Sequence, residues 1–534
     1  MIYQIYPRSF QDSNGDGIGD LSGIERRLEY IKSLGVNAVW ISPFFKSPMK
    51  DFGYDVEDHR AVDPLFGSLE AFDSLIEKAH ALGIRVMLDL VLSHTSDRHP
   101  WFKAARESEP SEWDDCFVWA SPKENGDPPN NWLSVFGGPA WTFEPKRNQY
   151  YLHNFLSSQP DLNFHNPKVR EEALSVARWW LDRGVDGFRL DTVNFYFHDP
   201  QLRDNPLSDR PDEQVVTADN PYSRQDHLYD KNRPEVCDFL TELGGLLAEY
   251  PGAIALGEVG AVSARATTLI EEYQKPGRLK LSYTFDLLSQ KFSAGHFKEI
   301  LQKDVGENHR SWRCLAFSNH DIRRTATRFN LHEASREQIA SLAMGMLLSM
   351  RGTPCIYQGE ELGLTEADIP FEQLLDPYGI AFWPKFKGRD GCRTPMPWHD
   401  TNANAGFARA EASTWLPIPD EHRKLAANLQ VADPESLFHQ NKAMIRLHRS
   451  HPAFHSERLA LLSSSETLLA YERGEGDNRV LCLFNLSPEA VDFRPEAIWN
   501  RAESLAGMGS VQRSQNGGSW AFPPWAWCWL AFPK

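Results

Sequence analysis

Two short apolar runs, AVWIS at residues 38–42 and IRVMLDL at residues 84–90, decide the fold of this sequence. Each run follows a stretch with apolar residues at helical spacing, at residues 21–34 and 69–82, and each stretch ends at a glycine. This alternation predicts strand, helix, strand and helix in succession. It is the pattern of a parallel sheet whose strands are joined by crossover helices.

The same pattern continues along the chain until eight strands are predicted. They are residues 2–6, 38–42, 84–90, 187–191, 254–259, 283–286, 314–318 and 355–358. Amphipathic segments such as residues 167–183, 234–250 and 336–350 separate the later strands. Eight strands with intervening helices favour a closed (β/α)8 barrel, the TIM barrel of the α/β class, over an open doubly wound sheet.

Two segments break the barrel pattern and predict additional domains. Residues 95–165 become rich in Trp, Pro, Asn and Gly, which predicts a small domain, called domain B here, inserted after the third strand. Residues 451–534 contain alternating strand-like segments separated by turn residues, which predicts a C-terminal antiparallel β domain. The barrel is then expected to comprise residues 1–94 and 166–450.

The composition excludes several classes of protein. The chain has 534 residues, of which 41% are hydrophobic, so it can bury a substantial core. Because a net charge of −17 repels phosphate backbones and anionic lipids, we expect neither a nucleic acid nor a membrane as a partner. The seven cysteines show no CxxC spacing, and reduced, mostly buried thiols are expected. The first residues resemble a strand rather than a signal peptide, so a cytoplasmic protein is expected. A monomer or a weak homodimer is also expected.

Carboxylates stand at or near the ends of five predicted strands. They are Asp89, Asp191, Glu258, Asp286 and Asp321. In a (β/α)8 barrel, the active site forms where strands end and loops begin, so these side chains are expected to converge. Capping of a following helix or turn explains any single acid, and applies most readily to Asp89 or Asp286. It does not explain five acids on one face.

Converging carboxyl groups are what cleavage of a glycosidic bond requires. A pair about 5 to 5.5 Å apart forms a covalent glycosyl-enzyme and retains the anomeric configuration. Asp191 and Glu258 end consecutive strands, which a barrel can hold at such a separation. Arg189 lies on the same side of the strand as Asp191 and favours its ionised form, whereas Glu258 must stay protonated in a less solvated or more negative place. Asp321, preceded by His320, is a third acid suited to binding sugar hydroxyls.

Seven motifs make the sequence resemble the α-amylase superfamily, glycoside hydrolase family 13, and within it the oligo-1,6-glucosidase and α-glucosidase group. The motifs GVNAVW, DLVLSH, QPDLN, GFRLD, GEV, SNHD and GTPCIYQGEE stand in the expected order at residues 35–40, 89–94, 159–163, 187–191, 257–259, 318–321 and 352–361. Each motif alone is weak. Coincidence does not explain all seven in register over nearly the whole chain.

The resemblance implies a role for each site residue. It implies that Asp191 is the nucleophile, Glu258 the acid/base, and Asp321 the residue that binds and distorts the sugar. The positions that match those holding the nonreducing glucose are Asp51, Tyr54, His94, Phe136, Arg189, His320 and Arg389. The QPDLN segment is typical of exo-acting glucosidases, which implies a pocket closed behind one glucose and short substrates.

Two features bear on the bond cleaved and on the acceptor. Thr192 follows the nucleophile, and by the same resemblance threonine there indicates α-1,4 bonds, whereas valine indicates α-1,6 bonds. Packing of a β-branched residue in the barrel is the alternative interpretation of Thr192. The long polar stretch at residues 194–233 predicts an enlarged loop that shortens the acceptor side and favours maltose-like disaccharides. Such a site is also expected to admit alcohols or phenols as glucose acceptors.

The combined prediction is a retaining, exo-acting α-glucosidase for small α-1,4-glucosides, with a covalent glucosyl-aspartate and with transglucosylation as a second activity. No cofactor is expected for the chemistry. An α-1,6-glucosidase, or a sucrose- or trehalose-converting isomerase of the same family, shares the three acids and stays an alternative. A noncatalytic transporter subunit is a remoter alternative, because such chains carry a membrane anchor and tend to lose the catalytic acids.

A separate loop, DSNGDGIGD at residues 12–20, carries oxygen side chains at alternate positions, as a calcium loop does. Gly23 occupies the twelfth position, where an EF-hand requires Glu, so an EF-hand is excluded. We expect one structural divalent cation, Ca²⁺ or Mg²⁺, and related α-glucosidases have such a site. An acidic, glycine-rich turn is the alternative. The expected ligands are Asp12, Asn14, Asp16, the carbonyl group of Ile18, and Asp20.

A second calcium site, between the barrel and the inserted domain, is not expected. In amylases an asparagine ligates that ion, and Ser93 stands at the matching position of this sequence.

Overall fold

The computed structural model describes residues 1–107, 111–209, 216, 219–260, 263–303, 305, 311–329, 334–513 and 518–533. Within these ranges, eight parallel strands close into a barrel, which confirms the predicted fold class. The first strand closes the barrel because it pairs with both the second and the eighth. The strands are β1 (Ile2–Ile5), β2 (Ala38–Ile41), β3 (Arg85–Leu90), β4 (Gly187–Leu190), β5 (Ile254–Glu258), β6 (Leu281–Tyr283), β7 (Arg313–Leu315) and β8 (Thr353–Tyr357).

A helix follows each barrel strand. In the described residues these helices are α1 (Leu21–Leu34), α2 (Leu69–Ala81), α3 (Pro167–Asp182), α4 (Val236–Ala248), α5 (Ser263–Tyr273), α6 (Ala294–Gln302), α7 (Arg336–Ser349) and α8 (Leu437–Ser450). Capping side chains start the early ones: Asp20 accepts the Gly23 N–H at α1, and Ser68 accepts the Ala71 N–H at α2. The apolar side of each amphipathic helix then packs on the barrel.

The sixth and seventh strands end earlier than the sequence predicts. Residues 283–286 and 314–318 were the predicted strands, whereas β6 ends at Tyr283 and β7 at Leu315. The reason is that buried apolar residues such as Phe317 continue beyond the last ladder pair, and an apolar run does not distinguish a strand from a buried loop. Asp286 consequently starts a short 3-10 helix instead of ending a strand.

The segment between β3 and β4 forms its own small antiparallel sheet. Its middle strand pairs with the other two, and a short helix precedes the sheet. The helix is Pro100–Ala105, and the strands are Trp119–Ala120, Trp141–Glu144 and Gln149–Leu152. The segment leaves the barrel soon after the end of β3, where His94 pairs with Asp161. The exact domain boundaries stay predictions.

After the barrel, the part of the chain that the structure describes forms two antiparallel sheets. The larger has five strands, Leu459–Leu461, Leu468–Arg473, Val480–Asn485, Trp527–Ala531 and Glu503–Met508. The smaller has three, Val491–Phe493, Trp520–Phe522 and Gln512–Arg513. The terminal tryptophans Trp527 and Trp529 are buried, so this aromatic run is core and not an exposed platform.

Helix α7 lies between the barrel and the C-terminal sheet. All residues from Ile339 to Ser349 are buried, which explains why this helix lacks a polar face. Trp527 of the sheet packs across Gly345, where an added Cβ would lie 3.0 Å from the indole ring. The Trp527 Nε1–H also donates to Ser341 Oγ at 3.1 Å. The sheet therefore completes the packing of a barrel helix.

All seven cysteines are free, and six of them are buried. Among the described helices, none combines the length and the hydropathy that spanning a bilayer would need.

Candidate active site

Arg189, on β4, holds three carboxylates at the carboxyl end of the barrel. Its Nη1 lies 2.7 Å from Asp89 Oδ1 and 2.6 Å from Asp191 Oδ1, and its Nη2 pairs with Glu258 Oε1. Strand register produces this cluster, because Asp89 pairs with Arg189 across β3 and β4, and Gly257 pairs with Leu190 across β4 and β5. Three neighbouring strands thus end in acids at one level.

The cluster contains more negative than positive groups. Burial raises the pKa of the Glu258 carboxyl; Arg189 opposes this shift and the charge of Asp191 adds to it. Asp89 behaves in the same way, since burial raises its pKa while Arg189 opposes the shift. At neutral pH the cluster therefore retains a proton, and Glu258 is suited to hold it as a general acid.

Thr192 links the two acids that flank it in space. Its backbone N–H donates to Glu258 Oε2 at 3.0 Å, and its hydroxyl donates to Asp191 Oδ2 at 3.2 Å. The same hydroxyl lies 3.0 Å from Ser93 Oγ. The residue has a left-handed backbone with φ of 41°, which is strained for a β-branched side chain. This strained turn brings one residue into contact with both carboxyls.

A chain of hydrogen bonds connects Gln4, through His320 and Tyr54, to Asp89 of the carboxylate cluster. Gln4 Nε2 donates to His320 Nδ1 at 2.7 Å, His320 Nε2 lies 2.7 Å from the Tyr54 hydroxyl, and that hydroxyl donates to Asp89 Oδ2 at 2.9 Å. This order assigns the imidazole proton to Nε2. Burial lowers the pKa of His320 to about 3, so the ring is neutral. Trp40 Nε1–H gives Asp89 a further bond at 3.1 Å.

Asp321 is held by two arginines. Its Oδ1 accepts from Arg389 Nη1 at 3.2 Å and from Arg393 Nη2 at 2.7 Å. Burial alone would raise the pKa of Asp321, but His320 and the two guanidinium groups outweigh burial and hold it below its ordinary value. The side chain keeps 34% of its surface exposed, more than Asp89, Asp191 or Glu258, so it is the most accessible acid of the site.

Arg389 connects Asp321 to two further acids, Asp51 and Asp376. Its Nη2 lies 2.8 Å from Asp51 Oδ1 and 2.7 Å from Asp376 Oδ1, and its guanidinium carbon lies 5.1 Å from the centre of the Phe136 ring. Five donors on one planar group make this branching possible. The buried Asp51 is thereby linked to Asp321 through Arg389.

Domain B contributes Gln159, which contacts Asp51. The Gln159 Nε2–H donates to Asp51 Oδ2 at 3.1 Å, and the Gln159 side chain is fully buried. Beside it, His94 Nε2–H donates to the Tyr54 carbonyl at 2.9 Å, while Ser93 Oγ lies 2.9 Å from His94 Nδ1. The site is therefore assembled from the barrel and from the inserted segment together.

The structure brings every predicted catalytic and sugar-binding residue into one contact network. Each of them touches at least one other member through the bonds described above. They are Asp51, Tyr54, His94, Phe136, Arg189, Asp191, Thr192, Glu258, His320, Asp321 and Arg389. Their individual roles stay predictions.

Asp286 does not join this network, so its predicted convergence with the other acids is wrong. It pairs with Lys303 Nζ at 2.7 Å and lies 3.6 Å from Arg313 Nη1. The cause is the early end of β6, which leaves Asp286 in the following turn.

Sequence reasoning missed three supporting residues. Arg393 and Asp376 hold Asp321 and Arg389, and Gln4 fixes the tautomer of His320. Gln4 lies in β1 and was detectable only as a polar residue in a buried strand. Asp376 precedes Pro377 and resembles an ordinary helix cap, a role it also has, since it accepts the Tyr378 N–H. No local signal identifies Arg393.

The loop at residues 12–20 is built from backbone bonds to its acids. Both oxygens of Asp12 accept N–H groups, from Gly15 at 2.6 Å and Gly17 at 2.9 Å. In the described ranges, no three His, Cys, Asp or Glu residues are placed to hold a metal, so the predicted cation is not confirmed. The donor types nevertheless suit a hard cation. Asp12 and Asp20 are buried, and no described ion pair involves either of them.

Comparisons with known proteins agree with this geometry. Residues 4–457 match a family model described as alpha amylase, catalytic domain. A probable alpha-glucosidase from Rhizobium meliloti (strain 1021) is 50% identical over 515 residues, covering 96% of this chain and 92% of that protein. An oligo-1,6-glucosidase from Parageobacillus thermoglucosidasius is 35% identical, covering 95% of this chain and 93% of that protein.

Solved structures match over the whole chain. A crystal structure of an alpha-glucosyl transfer enzyme, XgtA, has a TM-score of 0.93 and 48% identity, covering 99% of this chain and 98% of that chain. The trehalulose synthase MutB from Pseudomonas mesoacidophila MX-45 has a TM-score of 0.87 and 31% identity, with the same coverage of 99% and 98%.

Replacing Arg189 by Met should destabilise the protein by about 3–5 kcal/mol at neutral pH, because three buried carboxylates lose a shared cation. The loss should shrink as the pH falls towards 5.5, since the acids with raised pKa values take up protons and no longer need the cation. Chemical denaturation at pH 5.5 and pH 8 measures both effects.

Arg183→Met is the matched control, because Arg183 pairs with Asp73 at 2.7 Å on the surface. Its cost should stay below about 1 kcal/mol at both pH values. Equal losses in the two variants, or a loss at Arg189 that does not vary with pH, would contradict the electrostatic account.

Proposed function

We propose that this chain, which belongs to the α-amylase family, is a retaining α-glucosidase that acts at the nonreducing end of short α-glucosides. One observation carries the proposal: Asp191 and Glu258 are held together by Arg189 and by Thr192. The names of the relatives, probable alpha-glucosidase and oligo-1,6-glucosidase, support the same activity.

The two acids divide the reaction between them. The ionised Asp191 attacks the anomeric carbon while Glu258 protonates the departing glycosidic oxygen, so the old C–O bond breaks as a glucosyl ester forms. A water molecule then attacks that ester, and Glu258, now ionised, takes the proton from the water. The chemistry uses protein carboxyl groups and no cofactor.

The contacts that Asp191 and Glu258 share favour retention of the anomeric configuration over inversion. An inverting pair must leave about 6.5–9.5 Å between its carboxyls for a water molecule. Here one guanidinium contacts both acids, and Thr192 reaches each of them through its own N–H and O–H groups. These short bridges favour the closer separation of a covalent mechanism.

Asp321, Asp51 and Arg389 form a group suited to binding the hydroxyls of one glucose. Asp321 keeps part of its surface exposed, and Asp51 and Arg389 lie beside it. Charged groups of this kind make strong hydrogen bonds to sugar hydroxyls. Because Asp321 is held ionised by arginines, we assign it to the hydroxyls whose bonds strengthen as the ring distorts.

The loop after β4 supports the proposal of short substrates. Its described part packs on domain B, where Trp132 Nε1–H donates to the Arg203 carbonyl at 2.8 Å. Asn220 Nδ2–H donates to the Val135 carbonyl at 2.7 Å and to the Tyr378 hydroxyl at 3.2 Å. Residues 210–215 and 217–218 of the predicted loop lie outside the described residues. The contacts favour a wall on the acceptor side.

Transfer of glucose to acceptors other than water is part of the proposal. The glucosyl ester can be attacked by any hydroxyl that reaches it in place of water. The similarity to an alpha-glucosyl transfer enzyme supports this second activity. Sugars, alcohols and phenols are the acceptor classes that we propose.

The structural cation also stays a proposal, with Ca²⁺ or Mg²⁺ bound by Asp12, Asn14, Asp16, the Ile18 carbonyl and Asp20. The oxygen donors of this loop are of the type that a hard cation prefers, which supports a bound cation. A cytoplasmic monomer or weak homodimer is likewise proposed.

Asp191→Asn should reduce hydrolysis of p-nitrophenyl α-glucoside at least about a thousandfold, because the amide cannot form the glucosyl ester. NMR of the first product from the unaltered enzyme should show α-glucose. Substantial residual activity in the variant would refute the nucleophile assignment, and β-glucose as first product would refute retention.

Glu258→Gln should lower kcat/KM for maltose about a hundredfold more than for 2,4-dinitrophenyl α-glucoside, since only the sugar leaving group needs a proton. In the unaltered enzyme, kcat/KM should fall as the pH rises through the raised pKa of Glu258, because the acid form is then lost. Equal losses on both substrates would contradict the assignment.

Thr192→Val should shift the ratio of kcat/KM for isomaltose over maltose upwards by about tenfold, since the hydroxyl that contacts Asp191 and Ser93 is lost while the shape is kept. Ser93→Ala is a control that removes the hydroxyl partner but keeps Thr192. An unchanged ratio in the Val variant would mean that Thr192 only packs in the barrel.

Incubation with a chelator should lower the melting temperature by several degrees if the loop binds a cation, and added Ca²⁺ or Mg²⁺ should restore it. Asp16→Asn should abolish the difference. A melting temperature that is the same with and without chelator would leave only the acidic turn.

A further inference from the structure

The backbone N–H and the backbone carbonyl of Gly260 both form hydrogen bonds with side chains of the loop that follows β4. Its N–H donates to Asn194 Oδ1 at 3.1 Å, and its carbonyl accepts from Lys231 Nζ at 3.4 Å. Gly260 lies two residues beyond Glu258, where β5 has ended. The backbone that leaves the acid/base is therefore fixed by two side chains from a neighbouring element.

Asn194 is itself oriented by a reciprocal pair of bonds. Its Nδ2–H donates to Asn232 Oδ1 at 2.7 Å, and the Asn232 N–H donates to the Asn194 carbonyl at 2.7 Å. Asn194 is fully buried. Since its amide nitrogen is committed to Asn232, its oxygen must face Gly260, and the clamp has one orientation.

Lys231 is an unusual residue to bury at this position. Its ammonium lies 4.5 Å from the centre of the Phe195 ring and 5.1 Å from that of Tyr222. Burial lowers the pKa of Lys231 to about 8, although the neighbouring Asp230 opposes the shift. No ion pair in the described ranges involves Lys231, because Asp230 bonds to His227 Nδ1 at 2.5 Å. Packing alone does not call for a buried ammonium, since an apolar side chain would fill the same space without the desolvation cost.

We propose that Asn194 and Lys231 are positioning residues that fix the carboxyl end of β5 and thereby aim Glu258 at the departing glycosidic oxygen. This inference rests on the proposed function, in which Glu258 is the acid/base. The carboxyl group of Glu258 is already held from the β4 side by Arg189 and the Thr192 N–H. The clamp holds the backbone of Gly260, two residues beyond Glu258, and it belongs to the loop that follows β4.

The consequence is specific to proton transfer. Misplacing a reacting group by about 1 Å can cost about a hundredfold in rate. A sugar leaving group depends on the proton that Glu258 delivers, whereas 2,4-dinitrophenolate leaves without one. Loss of the clamp should therefore affect the two substrates unequally, and the effect should appear in kcat/KM, which reports the first, acid-catalysed step.

The experiment compares Lys231→Met with the unaltered enzyme on maltose and on 2,4-dinitrophenyl α-glucoside. We expect kcat/KM to fall about thirtyfold for maltose and less than about threefold for the aryl glucoside. Lys303→Met is the matched control, because Lys303 is a partly buried lysine that pairs with Asp286 away from Gly260. It should leave both values within about twofold of the unaltered enzyme.

A second pair of variants covers the case in which Lys231→Met does not fold. Asn194→Asp keeps an oxygen for the Gly260 N–H, whereas Asn194→Leu removes it, so the Asp variant should retain more activity on maltose than the Leu variant. The fraction of folded sites is counted by mass spectrometry after trapping the glucosyl-enzyme with a slow fluorosugar, and rates are expressed per trapped site.

The outcomes separate the two proposals. If the unaltered enzyme cleaves neither substrate, the proposed function is wrong. If it cleaves both, and the clamp variants lose activity equally on both substrates per trapped site, the clamp is only structural and the inference is overturned. A selective loss on maltose, with the Asp variant above the Leu variant, supports it.

Discussion

Three carboxylates share one buried guanidinium at the mouth of this barrel, and the rest of the site depends on that shared charge. Arg189 cannot neutralise Asp89, Asp191 and Glu258 together, so the cluster keeps a proton, and burial raises the pKa of Glu258 and favours its protonated form. Burial also keeps His320 neutral, whereas His320 and the neighbouring guanidinium groups outweigh burial at Asp321 and hold its pKa low. Barrel register creates this arrangement before any loop contributes to it.

Most of the fold was predictable because its signals are local. Apolar runs alternating with amphipathic helices define a closed parallel barrel, and alternating segments near the end define the antiparallel sheets. The failures occurred where local pattern is ambiguous. Buried residues continue past the short strands β6 and β7, and the prediction extended both strands into loops, which also misplaced Asp286.

The candidate site was predictable wherever a motif names the residue. Arg189, Asp191 and Glu258 lie in strand-end motifs, and the structure brings them into contact. Arg393 and Asp376 were not predictable, because each acts through a partner far away in sequence, and such pairing is created only by folding. For the same reason, the clamp of Asn194 and Lys231 on Gly260 leaves no recognisable local pattern.

The position of α7 has a consequence for how this enzyme can be shortened or recombined. Helix α7 is buried along its length, so removal of the C-terminal sheet would expose apolar residues to solvent. The exposed surface would include the place where Trp527 packs on Gly345 and bonds to Ser341. The smallest unit that keeps both the site and the packing of α7 is therefore the barrel together with the inserted segment that supplies Gln159 and the terminal sheet. Grafting this site onto another scaffold would have to include the sheet, although the site residues named above all precede it in the chain.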